Sequence, residues 1–219
     1  FNSKWGVHDH VVFDSLASFL AHPAEPFFTV FFTLSSHEPF DVPGKPINPS
    51  AGSDEKFLHA VHYTDSCLGV FLDRVRQMEW WNNALVILVA DHGSRHPGFH
   101  DANDYRRYHI GMLWLGGALR LKGTIPVLVS QTSIVPTIVR QMDLSDASYR
   151  FGQSIFDPAR KQVAMFFYND GFGMITDHSN FAFDNRSHSV TRTVTGYKDA
   201  DIIAGRAFLQ YLYDDFMAR

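Results

Sequence analysis

One stretch constrains this chain more than any other: the unbroken apolar run Leu85-Val86-Ile87-Leu88-Val89, which stops abruptly at Ala90-Asp91-His92-Gly93. Five consecutive apolar residues without a polar break predict a central parallel strand covered on both faces. A carboxylate and an imidazole set at the exit of such a strand lie in the crevice beyond the sheet, where both can reach one metal ion. Gly93 then lets the backbone turn sharply. The plainer alternative has Asp91 capping the next segment and His92 filling a loop, since short motifs recur by chance.

The surrounding pattern alternates helix with strand. Residues 8–21 place Val11, Val12, Phe13, Leu16, Phe19 and Leu20 at helical spacing, and Pro23 ends the pattern. The β-branched and aromatic stretch 27–34 predicts a strand, followed by a loop rich in Pro and Gly over 38–52. Phe57, Val61, Leu68, Phe71, Leu72, Val75 and Met78 define an amphipathic helix over 54–79, with Ser53 or Asp54 available as its cap. A second apolar strand follows at 110–115. Beyond Met142 the pattern becomes short runs at 163–168, 171–176 and 180–183, broken by Asn-Asp-Gly and Asp-His-Ser, as in an antiparallel meander. Ile202, Ile203, Phe208, Leu209, Leu212, Tyr213 and Phe216 then form the stripe of a closing helix over 198–217. The fold class expected is an α/β sandwich with a small antiparallel β appendage and a C-terminal helix. Residues 1–155 form the main part, and residues 156–219 the appended strands and helix of the same domain.

With 219 residues, 45% of them hydrophobic, the chain can bury a substantial core. A formal charge of −4 leaves no basic footprint for nucleic acid. The single cysteine, Cys67, excludes a disulfide framework and a thiolate metal cluster and reads as core filling. No apolar stretch is long enough to span a bilayer, and no signal peptide is legible. Because the sequence opens Phe1-Asn2-Ser3-Lys4-Trp5 without methionine, it is expected to be part of a longer protein.

Several motifs occur in a telling order: Trp5-Gly6, Thr33-Leu34-Ser35-Ser36-His37-Glu38-Pro39-Phe40, Tyr63-Thr64-Asp65, Ala90-Asp91-His92-Gly93, and Ser130 to Met142. Together they resemble the C-terminal part of the sulfatase branch of the alkaline-phosphatase superfamily. The likeness is strongest to the lipoteichoic-acid-synthase group, which contains phosphoglycerol transferases, and it runs from Trp5-Gly6 to about Gly152-Gln153-Ser154. The resemblance implies an alkaline-phosphatase-like α/β/α sandwich and a divalent ion, Mn²⁺ first and Ca²⁺, Mg²⁺ or Zn²⁺ as alternatives. It also implies a nucleophile and a first metal-binding carboxylate on an upstream segment, so no catalytic nucleophile is assigned within these residues. The substrate implied is a phospholipid or another phospho- or sulfo-ester, and the acceptor a glycan or lipid. The location implied is an extracytoplasmic domain at the cell membrane, attached through upstream segments.

On these grounds Asp91 and His92 are the metal-ligand candidates. His37 matches the family's substrate-contacting histidine, which would donate to a phosphate oxygen. Arg95, His96 and His100, in the loop after the Asp-His-Gly motif, are the candidates for binding an anion or protonating a leaving group, with His96 preferred. Arg106 and Arg107 could grip a phosphate, but beside Tyr105 and Tyr108 they read more simply as a solvated face. His109 is expected to pack at the start of its strand. His59 and His62, three apart on a helix, are set aside as helix-packing residues, and Asp65, His8 and His10 as structural or incidental. Two rival readings stand beside the transferase. One is a sulfatase that hydrolyses sulfate esters. The other is a non-catalytic domain that keeps the fold and binds a partner.

Overall fold

The computed structural model describes residues 2–44, 50–98 and 100–219. They divide into two compact units: 1–100 with 109–122, and 101–108 with 123–219.

In the first unit a short ladder pairs β1 (Asn2–Ser3) with β2 (Gly6–Val7) and leads into α1 (Asp9–Phe19). Helix α1 packs against α2 (Ser53–Val75) because both carry apolar residues at three-to-four spacing. Phe13, Ala17 and Leu20 meet Cys67, Phe71, Leu72, Val75 and Trp80 in one cluster. The Phe13 ring lies 5.1 Å from that of Phe71. The Trp80 indole donates to the Leu20 carbonyl at 2.7 Å, so the polar edge of the ring is satisfied where the chain leaves α1. Burial pushes the Cys67 thiol up, as expected of a core thiol. Helix α2 starts at Ser53 with Gly52 in the cap position and no side-chain cap from Ser53 or Asp54, and it stops four residues before the predicted end, where a turn of 3-10 helix, Glu79–Asn83, takes over.

Two sheet expectations are corrected here. The run 85–89 forms β3 (Val86–Val89), but it pairs antiparallel with β4 (Met112–Leu115), and its side chains are half-exposed or exposed, not covered on both faces. The stretch 27–34 forms no strand among the described residues, with Phe28 89% and Phe32 66% exposed. A ladder needs a second backbone to accept and donate hydrogen bonds, and propensity does not supply one. Gly116, at the end of β4 with φ +109, is required sterically, because a Cβ there would sit 2.2 Å from the Ala84 carbonyl oxygen. His109 is exposed, not packed at the start of its strand.

In the second unit α3 (Ile134–Gln141) is tied to the following loop by Thr137, which is fully buried. Its hydroxyl donates to the Ser133 carbonyl at 2.6 Å and accepts from the Ile155 amide at 3.0 Å. The predicted meander is present and larger than expected. Strands β5 (Val163–Tyr168), β6 (Gly171–Thr176), β7 (Asn180–Asp184) and β8 (Ser189–Gly196) form a sheet in sequence order, antiparallel throughout. The fourth strand, Ser-Val-Thr-Arg-Thr-Val-Thr-Gly, is the addition. Phe172, Met174, Phe181 and Phe183 form the core, and Ile202 and Leu209 of α4 (Asp199–Met217) pack on it. The predicted α4 stripe is split, since Ile203, Tyr213 and Phe216 are exposed. Asp104 is buried between Arg106, whose Nη2 lies at 2.6 Å, and Arg192, whose Nη1 lies at 3.3 Å. These contacts, with the Arg106 side chain the foremost, hold its carboxyl at about 2.

Candidate active site

The candidate residues of the first unit gather at two chain turns, one after residues 27–34 and one after β3. The first turn is fastened by a buried carboxylate. Asp9, at the start of α1, accepts the Leu34 and Ser35 amides on Oδ1 at 3.0 and 3.2 Å and the Thr64 hydroxyl on Oδ2 at 2.7 Å. Its own amide donates to the Ser35 hydroxyl at 3.0 Å. These bonds satisfy an otherwise unpaired backbone where no ladder does so. They also fix where Ser35-Ser36-His37-Glu38 begins.

Within that turn His37 is exposed, with Nδ1 2.9 Å from the Glu38 carbonyl oxygen. The Trp5 indole donates to the same carbonyl, and the Trp5 and His37 rings lie 4.5 Å apart. The carbonyl occupies one ring nitrogen of His37 and leaves Nε2 as the atom that can meet a ligand. Phe40, in the left-handed region at φ +65 without being glycine, turns its ring onto Phe57 and His96 at 5.6 and 5.8 Å.

After β3, Asp91 and His92 stand side by side in solvent. The His92 amide donates to Asp91 Oδ1 at 2.9 Å, and His92 Nδ1 lies 2.8 Å from the Gly93 carbonyl oxygen. A carbonyl on Nδ1 is the contact that sets an imidazole's tautomer and orientation so that Nε2 can ligate. Nε2 is 3.7 Å from Asp91 Oδ2. That is too long for a hydrogen bond, yet within the span of two metal–ligand bonds of about 2.1 Å each. The donor set therefore fits half of a divalent-ion site. No group of three or more His, Cys, Asp or Glu suited to a metal occurs among the described residues.

The loop that follows carries Arg95, His96 and His100; Phe99 within it lies outside the described residues. Of the three, His96 is the buried one, held in place between Phe40 and Phe57. Its Nδ1 lies 2.5 Å from Asp54 Oδ1, and its Nε2 lies 3.6 Å from Glu38 Oε1. Arg95 Nη2 reaches the same Glu38 oxygen at 3.2 Å. Two basic groups from the second turn thus converge on a carboxylate of the first, which brings His96 and Arg95 together with the His37 turn. His100 is half-buried and closes the loop through its amide, which donates to the Arg95 carbonyl at 3.0 Å.

Two contributors carry no site signal in the sequence. Asp54, legible there only as a helix cap, binds the loop instead. Besides His96 it accepts the Gly98 amide at 2.8 Å, and that amide, followed by His96, holds its carboxyl below the usual carboxylate range. Glu38 is legible only as part of a motif. Their signal is tertiary, because Asp54 and His96 are 42 positions apart. Of the residues set aside, His10 Nδ1 sits 2.5 Å from the Tyr63 hydroxyl, and burial pushes that phenol up to about 12, so it stays protonated as a strut between α1 and α2. Arg106 is committed to Asp104.

The sequence profile of the family described as Sulfatase matches residues 1–144. Phosphoglycerol transferase I of Xanthomonas euvesicatoria pv. vesicatoria (strain 85-10) is 22% identical over 161 residues, which are 70% of this chain and 23% of that protein. Lipoteichoic acid synthase of Staphylococcus aureus (strain USA300) is 19% identical over 178 residues, 74% of this chain and 28% of that protein. The chain thus spans about a quarter of the length of these curated relatives. Among solved structures, a protein in the alkaline phosphatase superfamily from Vibrio parahaemolyticus superposes with a TM-score of 0.72 at 22% identity, over 93% of this chain and 52% of that one. The fold is accordingly that of the alkaline-phosphatase superfamily, and with the family profile matching about two thirds of its length, the chain belongs to the sulfatase family.

Proposed function

We propose that this chain supplies part of the active site of a metal-dependent phosphoglycerol transferase of the lipoteichoic-acid-synthase type. The observation that carries the reading is the pair Asp91 and His92 at the exit of β3, with His92 Nδ1 turned to the Gly93 carbonyl. The names of the relatives point to the same chemistry.

In this reading Asp91 Oδ2 and His92 Nε2 hold one divalent ion, with Mn²⁺ the expected metal and Ca²⁺, Mg²⁺ or Zn²⁺ the alternatives. When bound, such an ion would neutralise charge at phosphoryl oxygens and lower the pKa of an attacking hydroxyl. As the imidazolium, with Nδ1–H given to the Glu38 carbonyl, His37 donates from Nε2 to a non-bridging oxygen of a phospholipid head-group phosphodiester, and Trp5 holds the ring for it. Arg95 offers a guanidinium to the same anion, and His96 exchanges a proton with the leaving or entering oxygen. In this reading no residue here is assigned as the hydroxyl that becomes covalently linked to phosphoglycerol, and further metal ligands would complete the site. The phosphoglycerol then passes to a glycan or lipid acceptor on the extracytoplasmic side of the membrane. No described helix here is long and apolar enough to cross one.

The test is Mn²⁺ binding, followed by electron paramagnetic resonance, to the chain and to a variant carrying Asp91→Ala and His92→Ala. At least a tenfold weakening, about 1.4 kcal/mol, is expected. Unchanged binding by the variant sinks the ligand assignment. In the whole protein, release of diacylglycerol from phosphatidylglycerol vesicles supports the transferase, and turnover of an aryl sulfate without it supports the sulfatase reading.

A further inference from the structure

The contact between Asp54 and His96 asks for an explanation that helix capping does not provide. Asp54 sits in the first turn of α2, where a carboxylate ordinarily accepts the helix's own free amides. Here both of its oxygens are turned away to the loop after β3, Oδ1 to His96 Nδ1 and Oδ2 to the Gly98 amide. The imidazole it holds is buried, clasped between the rings of Phe40 and Phe57, while its other nitrogen faces Glu38 Oε1, the oxygen also met by Arg95.

We propose that Asp54 is a positioning residue. By accepting from His96 Nδ1 it fixes that imidazole's tautomer and rotation, so that the bare Nε2 is presented, beside Arg95, to accept a proton from a hydroxyl of the ester or its acceptor. The inference rests on the phosphoester reading above only for the identity of the ligand. The physical argument is one of hydrogen-bond roles. A carboxylate can only accept, so the proton in this contact resides on Nδ1. Nε2 then points at the oxygen on which the Arg95 guanidinium also converges. The Gly98 amide keeps the carboxylate in the loop, and the two aromatic rings prevent the imidazole from swinging about its side-chain torsions. Glu38 Oε1, met by the Arg95 guanidinium, marks the spot that a phosphoryl oxygen would take, and Nε2 beside it is left to accept a proton from a neighbouring hydroxyl. Asp54 thus acts on substrate through His96 and touches none itself.

The experiment uses the chain labelled with ¹⁵N-histidine, the His96 signals being assigned by their loss in His96→Gln. In long-range ¹H–¹⁵N spectra His96 is expected to carry its proton on Nδ1. Asp54→Asn, whose amide can donate, is expected to strip Nδ1 of its proton and move it to Nε2. Asp54→Glu, which keeps an acceptor, is expected to retain Nδ1 protonation. A bare Nδ1 in the unaltered chain, or an unchanged spectrum in Asp54→Asn, overturns the proposal. In a second arm glycerol phosphate is titrated in. The His96 Nε2 resonance is expected to move in the unaltered chain, with at least tenfold weaker binding in Asp54→Asn. Equal binding by that variant, despite its exchanged tautomer, overturns the positioning role. A titration that moves no His96 signal, with the first arm as expected, overturns the phosphoester reading alone and leaves Asp54 as the residue that orients this imidazole.

Discussion

The β5–β8 sheet and the pair of apolar runs at 27–34 and 86–89 are built from similar residues and end up in opposite environments. In the four-stranded sheet Phe172, Phe181 and Phe183 are almost wholly removed from water, because each strand has a partner and α4 covers one face. Among the described residues the second group has four residue pairs in one antiparallel ladder and none for 27–34, and Phe28, Val30 and Phe32 lie open. Apolar content gives a strand something to bury, but only a covering face converts it to stability. The candidate site residues sit at the exits of the poorly covered runs. Polar contacts such as those of Asp9 and Asp54, joined at His96 by the Phe40 and Phe57 rings, therefore place them.

That contrast can be broken at its two ends. Phe172→Ala is expected to cost about 3–5 kcal/mol, the range for emptying a buried aromatic site. Phe28→Ser should stay within about 0.5 kcal/mol. Urea unfolding of both variants checks the pair. A loss below about 1 kcal/mol for Phe172→Ala, or a Phe28→Ser variant as unstable as Phe172→Ala, would remove the distinction.

A sharper question is whether polar contacts position the first turn. Asp9→Ala leaves the Leu34 and Ser35 amides without their acceptor, at about 1–3 kcal/mol. Faster hydrogen exchange is expected at those two amides, with the β5–β8 amides unaffected. Uniform acceleration across both units would mean that Asp9 supports global stability and not the turn.

The smallest effect concerns pH. The folded Asp104 carboxyl lies at about 2, below its ordinary value near ~4. Its contribution is therefore complete above about pH 4 and is lost as pH falls toward 2. Arg106→Ala, which removes the foremost cause, should lower the urea midpoint at about pH 7 and converge with the unaltered chain near pH 2. A constant gap between the two across that range would show that the arginine acts by packing its stem and not through the carboxylate.

Much of this is legible in the residues. Helices α1, α2 and α4 follow from three-to-four spacing, which is a local property, and the hairpins of β5–β7 from turn chemistry between apolar runs. Strand β8 is hard to see in sequence because Thr and Arg fill its alternation, so its hydrophobic signal is faint. The expectation of a parallel, fully covered β3 fails because a continuous apolar run specifies neither the direction of its neighbour nor the existence of a second face. At the site, Asp91 and His92 stand out by adjacency, while Asp54 passes for a cap.

What the sequence alone determined is what depends on near neighbours: the helical faces, the turn after β3, the Asp-His pair presented there, and the order of motifs that marks the family. What only the tertiary structure decided is what depends on distant partners. The antiparallel pairing of β3 with β4, the lack of a ladder at 27–34 among the described residues, and the seating of His96 between Asp54 and Glu38 each turn on segments tens of residues apart. A hydrogen bond or a buried ring depends on which surface arrives opposite it, and chain closure settles that, not local preference.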